Sequence, residues 1–512
     1  MADTVLEIIA QGAWNGGNLV DNTIYENKGM TFKGGIPVNN KTIEARIGVR
    51  TRMVAPPDER IGVAAMQDLM RTADIDPGRI KLIIGATNIG EDRFDHGPLI
   101  RYPFKLVQND CPDALVLDLY AGCPGFNVSV ELVFMMSLAD ILKPGDLSII
   151  VGAENPHRAK AFPPDDTANI IFGDDALATV LETKAPVSRA TSGGITANTK
   201  FNAGEDFARS IANELLKIKS PGEIDGIIID NQLGKLEHRV PATAVRVQHH
   251  LVEQHYPEET AKGTFKRFRD ALAFYNQHVN CFAFDIMTLD PRPDPVAKIA
   301  NAYVTSGKYK CIAAVYLAPD HSVVLSLHEG KAPYNHRPEW GIIDTLTRTH
   351  GCFAHYIEVA PFTVRADMFG KMNGKGVFLH ATRGAKYHLH ALMSPNNLSM
   401  DDIDLLIEHQ ANFAMIPLTL EQVLNNGQTD LKNDVAEVVA NKMVTNIHVR
   451  GNCSVVCMQR LPYDLRRGAL EPDRIQGYPV NQNLEKLKHA KTILYDSIGA
   501  GMTRSSFLER KK

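Results

Sequence analysis

The chain lacks the spacing that would make its cysteines a disulfide framework: there are seven in 512 residues, an odd number with no repeated interval. That excludes a small stapled secreted scaffold and fits a reducing cytoplasm. Missing too is any apolar run of membrane-spanning length, and the start, Met1-Ala-Asp-Thr-Val-Leu-Glu-Ile-Ile9, has no basic segment followed by an apolar one. Neither export nor membrane insertion is expected, and the expected location is cytoplasmic. Charge of one sign is not in excess, since 55 Lys and Arg oppose 59 Asp and Glu. Nothing in that balance asks for nucleic acid or an anionic membrane surface. His249 and His250 are adjacent and His388 and His390 two apart, without companion ligands at metal spacings, and no phosphate loop or dinucleotide fingerprint is present. Neither a metal nor a redox cofactor is expected. No stretch rich in Ser, Gly or Pro divides the chain, which points to one compact unit.

What is there begins with Leu115-Val-Leu-Asp-Leu-Tyr-Ala-Gly-Cys-Pro-Gly-Phe-Asn127. Its apolar run predicts a buried strand, and Ala121-Gly122 and Pro124-Gly125 let the backbone bend sharply on either side of Cys123. Val128, Val130, Leu132, Val133 and Met136 then follow at spacings that suit a buried helix. A cysteine beside a helix N-terminus meets free N–H groups and the positive end of the dipole, which lower a thiol pKa and make a nucleophile. The plain alternative is a small buried hydrophobe.

Strands and helices alternate from Arg79 to Leu181: Ile80 to Gly85, a polar loop through Asp95, Leu115 to Leu119, Ser148 to Ala153, the turn Phe172-Gly-Asp-Asp-Ala176, then Leu177 to Leu181. This predicts an α/β lobe around a buried sheet. The register repeats. Asp76-Pro-Gly-Arg-Ile-Lys-Leu-Ile-Ile84 is echoed by Ser220-Pro-Gly-Glu-Ile-Asp-Gly-Ile-Ile228 and by Ser399-Met-Asp-Asp-Ile-Asp-Leu-Leu-Ile407, so duplicated lobes are expected. Cys281-Phe-Ala-Phe-Asp285 parallels Leu115-Val-Leu-Asp118, and Lys308 to Val315 parallels Asp146 to Val151. The chain accordingly divides into 1–190, 191–335 and 336–512. In the middle section the turn reads Met287-Thr-Leu-Asp-Pro-Arg-Pro-Asp-Pro295, without a cysteine and with three prolines. That section keeps the scaffold without the nucleophile, as an enlargement of the core or of an interface, or as a second site.

In the third section, from about Trp340, Met372-Asn-Gly-Lys-Gly-Val-Phe378 leads a helix through Met393, and the end is punctuated by Ile498-Gly-Ala-Gly501. Glu408-His-Gln-Ala-Asn412 follows the apolar run Ile403 to Ile407, which puts His409 at a strand end facing a pocket. His448-Val-Arg-Gly-Asn-Cys-Ser-Val-Val456 reads as strand, glycine turn and helix start, presenting Asn452 as the first section presents Cys123. Cys453 and Cys457 read as packing residues.

These positions resemble the thiolase superfamily, most closely its ketoacyl synthase III branch of 3-oxoacyl-acyl-carrier-protein synthase III-like enzymes. The resemblance is carried by Ala121-Gly-Cys-Pro-Gly-Phe126, Ile171-Phe-Gly-Asp174, His409-Gln-Ala-Asn412, Gly451-Asn-Cys-Ser454, Gly499-Ala-Gly-Met-Thr503 and Arg46-Ile-Gly-Val-Arg-Thr-Arg52. It covers Glu44 to Leu181 and Met372 to Glu509. It implies a five-layered αβαβα fold of two duplicated halves, with the middle section as an additional, degenerate half-lobe between them. It also implies an acyltransferase in which Cys123 takes an acyl group from a thioester while backbone N–H groups at Cys123 and Ala500 hold the oxyanion. His409 and Asn452 would stabilise the enolate formed as a malonyl-type donor loses carbon dioxide, and Arg50 and Asn412 would bind substrate. Coenzyme A or acyl-carrier thioesters (acyl-CoA, malonyl-CoA, malonyl-acyl carrier protein), a homodimer, and fatty acid or polyketide biosynthesis are further expectations. Three departures stand out: Gly173-Asp174-Asp175 for Gly-Asp-Gly, Met502 for an aromatic residue, and apolar Phe413-Ala414-Met415 where relatives place a basic residue. Acyl transfer to an oxygen or nitrogen nucleophile, condensation without decarboxylation, and a scaffolding role beside another thiolase-like chain are the alternatives.

Overall fold

Runs of Ile, Val and Leu without polar alternation, such as Leu147–Glu154 in which every residue is buried, specify strands covered on both faces. The computed structural model describes residues 4–88, 99–159, 166–184, 193–204, 206–233, 240–330, 337–358, 370–425, 431–480 and 489–512. The loop through Asp95 and the expected section boundaries near 190 and 335 lie outside them.

Five strands of the first section are β1 (Leu6–Ala13), β2 (Ile80–Ala86), β3 (Leu115–Tyr120), β4 (Leu147–Glu154) and β5 (Asp175–Thr183). The middle section supplies β6 (Gly193–Asn202), β7 (Gly226–Asn231), β8 (Phe282–Thr288), β9 (Cys311–Leu317) and β10 (Ser322–Gly330). All ten join one sheet in the order β1-β5-β4-β2-β3-β8-β7-β9-β10-β6. The two halves of that order are the same topology reversed. Gly85 of β2 pairs with Asp118 and Val151, and Ile229 of β7 pairs with Asp285 and Val315. Where the copies meet, β3 and β8 run antiparallel and Leu119 faces Ile286, each the residue after the aspartate of its own copy. A pseudo-twofold axis passes through that pair. The middle section, whose place the sequence left open, thus continues the first section's sheet from its β3 edge. A second copy of the chain cannot add a strand there.

The third section folds as β11 (Gly341–Thr349), β12 (Leu405–Glu408), β13 (Thr492–Gly499) and β14 (Thr503–Arg510), in a four-stranded sheet ordered β11-β14-β13-β12. A bulge recurs at matching places in β1, β6 and β11, between Ile8 and Ala10, Ile195 and Ala197, and Ile342 and Asp344. The strand expected over His448 to Arg450 is instead a short helix, Ile447–Arg450, because the N–H groups of Val449, Arg450 and Gly451 turn back to Asn446 and Ile447 carbonyls. Among the described residues a single bridge, between Leu406 and Met443, extends the sheet on that side.

Helices complete five layers. α1 (Ile61–Thr72) covers β1, β4 and β5 from outside, α2 (Gly125–Leu138) lies between the two sheets, and α3 (Phe207–Leu216) packs with α4 (Thr243–His255) over β7 and β8. α5 (Asp294–Thr305) sits beside α2, α6 (Gly374–Met393) covers β11 and β14, and α7 (Cys457–Arg466) joins α2 in the central layer. All fourteen residues of α2 are buried, the polar Asn127, Ser129, Glu131 and Ser137 each hydrogen-bonded within the core. Its Glu131 accepts hydrogen bonds from Tyr309 of the middle section and Thr347 of the third, which ties all three sections to the helix that follows Cys123.

Asp118 and Asp285 do the same work in the two copies. Asp118 accepts from the N–H groups of Leu99 and Ile100 at 2.6 and 3.0 Å, and Asp285 from those of Thr243 and Ala244 at 2.8 and 2.9 Å. The second pair anchors the start of α4 to β8. Asp285→Ala leaves those buried donors unsatisfied and is expected to lower stability by about 2–4 kcal/mol in chemical denaturation; an unchanged midpoint would contradict this role.

Candidate active site

Cys123 follows β3 and precedes α2 by one residue. Gly122 has φ +72°, in the left-handed region, and a Cβ on it would lie 2.7 Å from both N and O of Ala500. A Cβ on Gly499 would lie 2.3 Å from Cys123 N. The turn after β13 therefore presses directly on the nucleophile turn, and glycine is required on both sides of the contact.

The Cys123 thiol is pushed up to about 11, mainly by burial. The Ser454 hydroxyl, 3.4 Å from Sγ, works against that shift, and the Glu154 charge adds to it. The expectation of a lowered thiol pKa from the helix end is therefore corrected: desolvation outweighs the dipole here. At neutral pH the resting group is a thiol.

His409 stands at the end of β12, its N–H donating to the Asp496 carbonyl at 2.8 Å. The ring is buried, neither nitrogen has a hydrogen-bond partner among the described residues, and burial lowers its pKa to about 4. It is a neutral imidazole. Asn452 follows Gly451, which has φ +70°, and is fixed by the first section: its N–H donates to the Ile171 carbonyl at 2.8 Å and its carbonyl accepts from Gly173 N–H at 3.1 Å. The Ile171-Phe-Gly motif is thus the strap that holds Asn452. Its Oδ1 accepts from Ser454 N–H at 2.8 Å, leaving the amide NH2 as its remaining donor group.

Cys123, His409, Asn412 and Asn452 line one cavity of about 290 Å³. Its walls are apolar, with Ile171, Phe172, Met372, Phe378 and Met415 among them. Val240 also lines it, buried against Ala168 and Ala500, and is the lining residue the middle section contributes among the described residues. Asn412 is oriented by accepting from Ala414 N–H at 2.9 Å. Arg50 does not line the cavity; its guanidinium is paired with Glu44 and Asp473 and bonded to the Arg474 carbonyl. Cys453 and Cys457 are buried, with thiol pKa values raised by burial. Among the described residues no three His, Cys, Asp or Glu side chains are placed to hold a metal ion, and no helix is long and apolar enough to cross a membrane.

Three polar residues at the cavity went unsingled in the sequence: Asn88 after β2, Glu154 ending β4, and Ser454, which lay inside a motif noted for Asn452. The signal for Glu154 was a charged residue closing a wholly buried strand.

A scan against protein-family models finds no match to this chain. The chain is similar to a beta-ketoacyl-[acyl-carrier-protein] synthase III of Vibrio vulnificus, 32% identical over 151 residues that make up 28% of this chain and 45% of that protein. It is 24% identical over 260 residues to the synthase III of Rickettsia massiliae, covering 48% of this chain and 73% of that one. The chain thus spans less than half the length of the first of these relatives. The 3-oxoacyl-[acyl-carrier-protein] synthase III structure from Aquifex aeolicus superposes with a TM-score of 0.52 at 14% identity, covering 99% of this chain and 100% of that one. The fold is the thiolase-like fold of these synthases, with an additional half-lobe in the middle.

With the Cys123 pKa near 11, the thiolate fraction grows about tenfold per pH unit below that value. Iodoacetamide, which alkylates the preformed thiolate, is expected to label Cys123 about 100-fold faster at pH 9 than at pH 7, as read by peptide mapping. A rate already level at pH 7 would contradict the assignment.

Proposed function

We propose that the chain is an acyl-thioester condensing enzyme: Cys123 accepts an acyl group from a thioester and a malonyl-type thioester then extends it with loss of carbon dioxide. The observation that carries this reading is the convergence of a sulfur, a neutral imidazole and a carboxamide, from two distant segments, on one apolar cavity. An acyl chain suits those walls. Cys123 Sγ attacks the thioester carbonyl, and the N–H groups of Cys123 and Ala500, brought together by the glycine contacts, stabilise the oxyanion. The departing thiol leaves an acyl-cysteine.

In the second half-reaction the malonyl thioester oxygen receives hydrogen bonds from the His409 ring and the Asn452 amide. Neither carries negative charge, so the enolate formed as carbon dioxide leaves is not repelled. A histidine with a pKa near 4 is a hydrogen-bond donor through its neutral tautomer at working pH. The carbanion attacks the acyl-cysteine, and the new carbon–carbon bond releases Sγ. Because Arg50 is already paired with two carboxylates, we place the binding of the donor's distal phosphate elsewhere, and acyl-CoA is the donor to test first.

Incubation with acyl-CoA is expected to add one acyl mass to the protein, located on Cys123 and lost in Cys123→Ala. His409→Ala and Asn452→Ala are expected to keep that adduct while carbon dioxide release from malonyl-CoA or a malonyl carrier falls by about 10²–10³-fold. Full labelling of Cys123→Ala would overturn the reading. Product formation without carbon dioxide would replace it with a non-decarboxylative condensation.

A further inference from the structure

A half-buried thiol that must react as a thiolate needs somewhere to send its proton, and the neutral His409 serves the second half-reaction. The surroundings of Cys123 offer another route. Ser454 Oγ lies 3.4 Å from Cys123 Sγ and 3.4 Å from Glu154 Oε1. Asn88 clamps the far side: its backbone N–H donates to Glu154 Oε1 at 2.7 Å, and its side-chain Nδ2 reaches both Glu154 Oε1, at 2.8 Å, and Ser454 Oγ, at 2.9 Å. With Asn88 donating to Oγ, the hydroxyl keeps a lone pair for the thiol proton and its own proton for the carboxylate. Glu154 and Ser454 are 2% and 5% exposed.

The backbone gives a second, independent indication. Ser454 has φ +51°, a left-handed conformation that is costly for a non-glycine residue. Asn452 Oδ1 holds it there through the Ser454 N–H. Strain of this kind is retained where surrounding structure needs one side chain in one place, and here that place is between a nucleophile and a buried carboxylate.

We propose that Ser454 and Glu154 form the proton relay that deprotonates Cys123 during acyl loading; this rests on the acyl-transfer reading above. The thiol proton passes to Ser454 Oγ as the serine proton passes to Glu154 Oε1. The Sγ–carbon bond forms, the donor's own sulfur–carbon bond breaks, and the departing thiolate recovers the proton by the reverse path. Ser454 touches the reacting sulfur. Glu154 acts through it as a positioning and accepting group. Among the described residues, His409 across the cavity and Cys457 at the start of α7 also face the pair, both neutral at pH 7 with pKa values of about 4 and about 12. Among the described lining residues Glu154 is the one Asp, Glu, Lys or Arg.

The test is the rate of acyl-adduct formation on Cys123 between pH 6 and pH 9, by quenched-flow intact-mass measurement. The probe is the fastest-loading member of a series from acetyl-CoA to dodecanoyl-CoA. Ser454→Ala, Ser454→Gly and Glu154→Gln are each expected to load about 100-fold more slowly at pH 7. Their rates should climb with hydroxide concentration while the unsubstituted protein stays level. Glycine adopts φ +51° freely, so Ser454→Gly separates loss of the hydroxyl from a misfolded turn. If Glu154 acted only through its field, Glu154→Gln would load faster, since removing the negative charge favours the thiolate. Variants that load at full rate, or slow equally at every pH, overturn the relay. No adduct on the unsubstituted protein overturns the acyl-transfer reading instead.

Discussion

The turn after β13 and the turn after β3 touch with no room for a side chain between them. A Cβ on Gly499 would clash with the Cys123 backbone at 2.3 Å, and one on Gly122 would collide with Ala500. This contact joins the third section to the first at Cys123 and brings the Ala500 backbone against that turn. Everything polar at the cavity depends on it. The strap from Ile171 to Gly173 fixes Asn452, Asn452 fixes Ser454, and Ser454 reaches the sulfur. The site is a chain of short contacts between turns, each anchored by a rigid strand end.

The middle section bears on this site through the sheet. By pairing β8 against β3 it covers the edge of the strand that delivers Cys123, and through Tyr309 it grips Glu131 in the helix that follows. Its own turn, Leu289 to Pro295, carries no nucleophile, yet Val240 from the same section forms part of the wall beside Ala500. A section whose turn lacks the cysteine still shapes the cavity beside Cys123. An exposed β3 would be a long apolar edge open to association, and the duplicated half-lobe closes it within one chain.

The strand echoes were legible because they encode local bonds. Asp225 and Asp404, at the same place in two of the echoes, each accept from two successive N–H groups, of Lys310 and Cys311 and of Lys491 and Thr492. Cys123, His409 and Asn452 were legible because each follows a pattern that presents a side chain, and the structure puts all three on one cavity. What the sequence hid is what arises through space. The β3–β8 pairing joins strands with no local signal of partnership. Glu154 and Ser454 are ordinary residues until the fold lines them up behind a thiol. The helix end beside Cys123 is local and readable, whereas the desolvation that outweighs it arises only when the chain folds around the thiol. The helix at Ile447 to Arg450 replaced an expected strand because Asn446 collects the N–H groups that a neighbouring strand would have taken.

The central claim is that the cavity beside Cys123 receives an acyl chain and that its sulfur carries it. A crystal structure of the protein after incubation with acyl-CoA examines this most directly. The account predicts continuous density from Sγ, with the carbonyl oxygen toward the N–H groups of Cys123 and Ala500 and the chain lying along Phe172, Val240, Met372 and Phe378. An unmodified sulfur with the acyl group bound outside this cavity would contradict it.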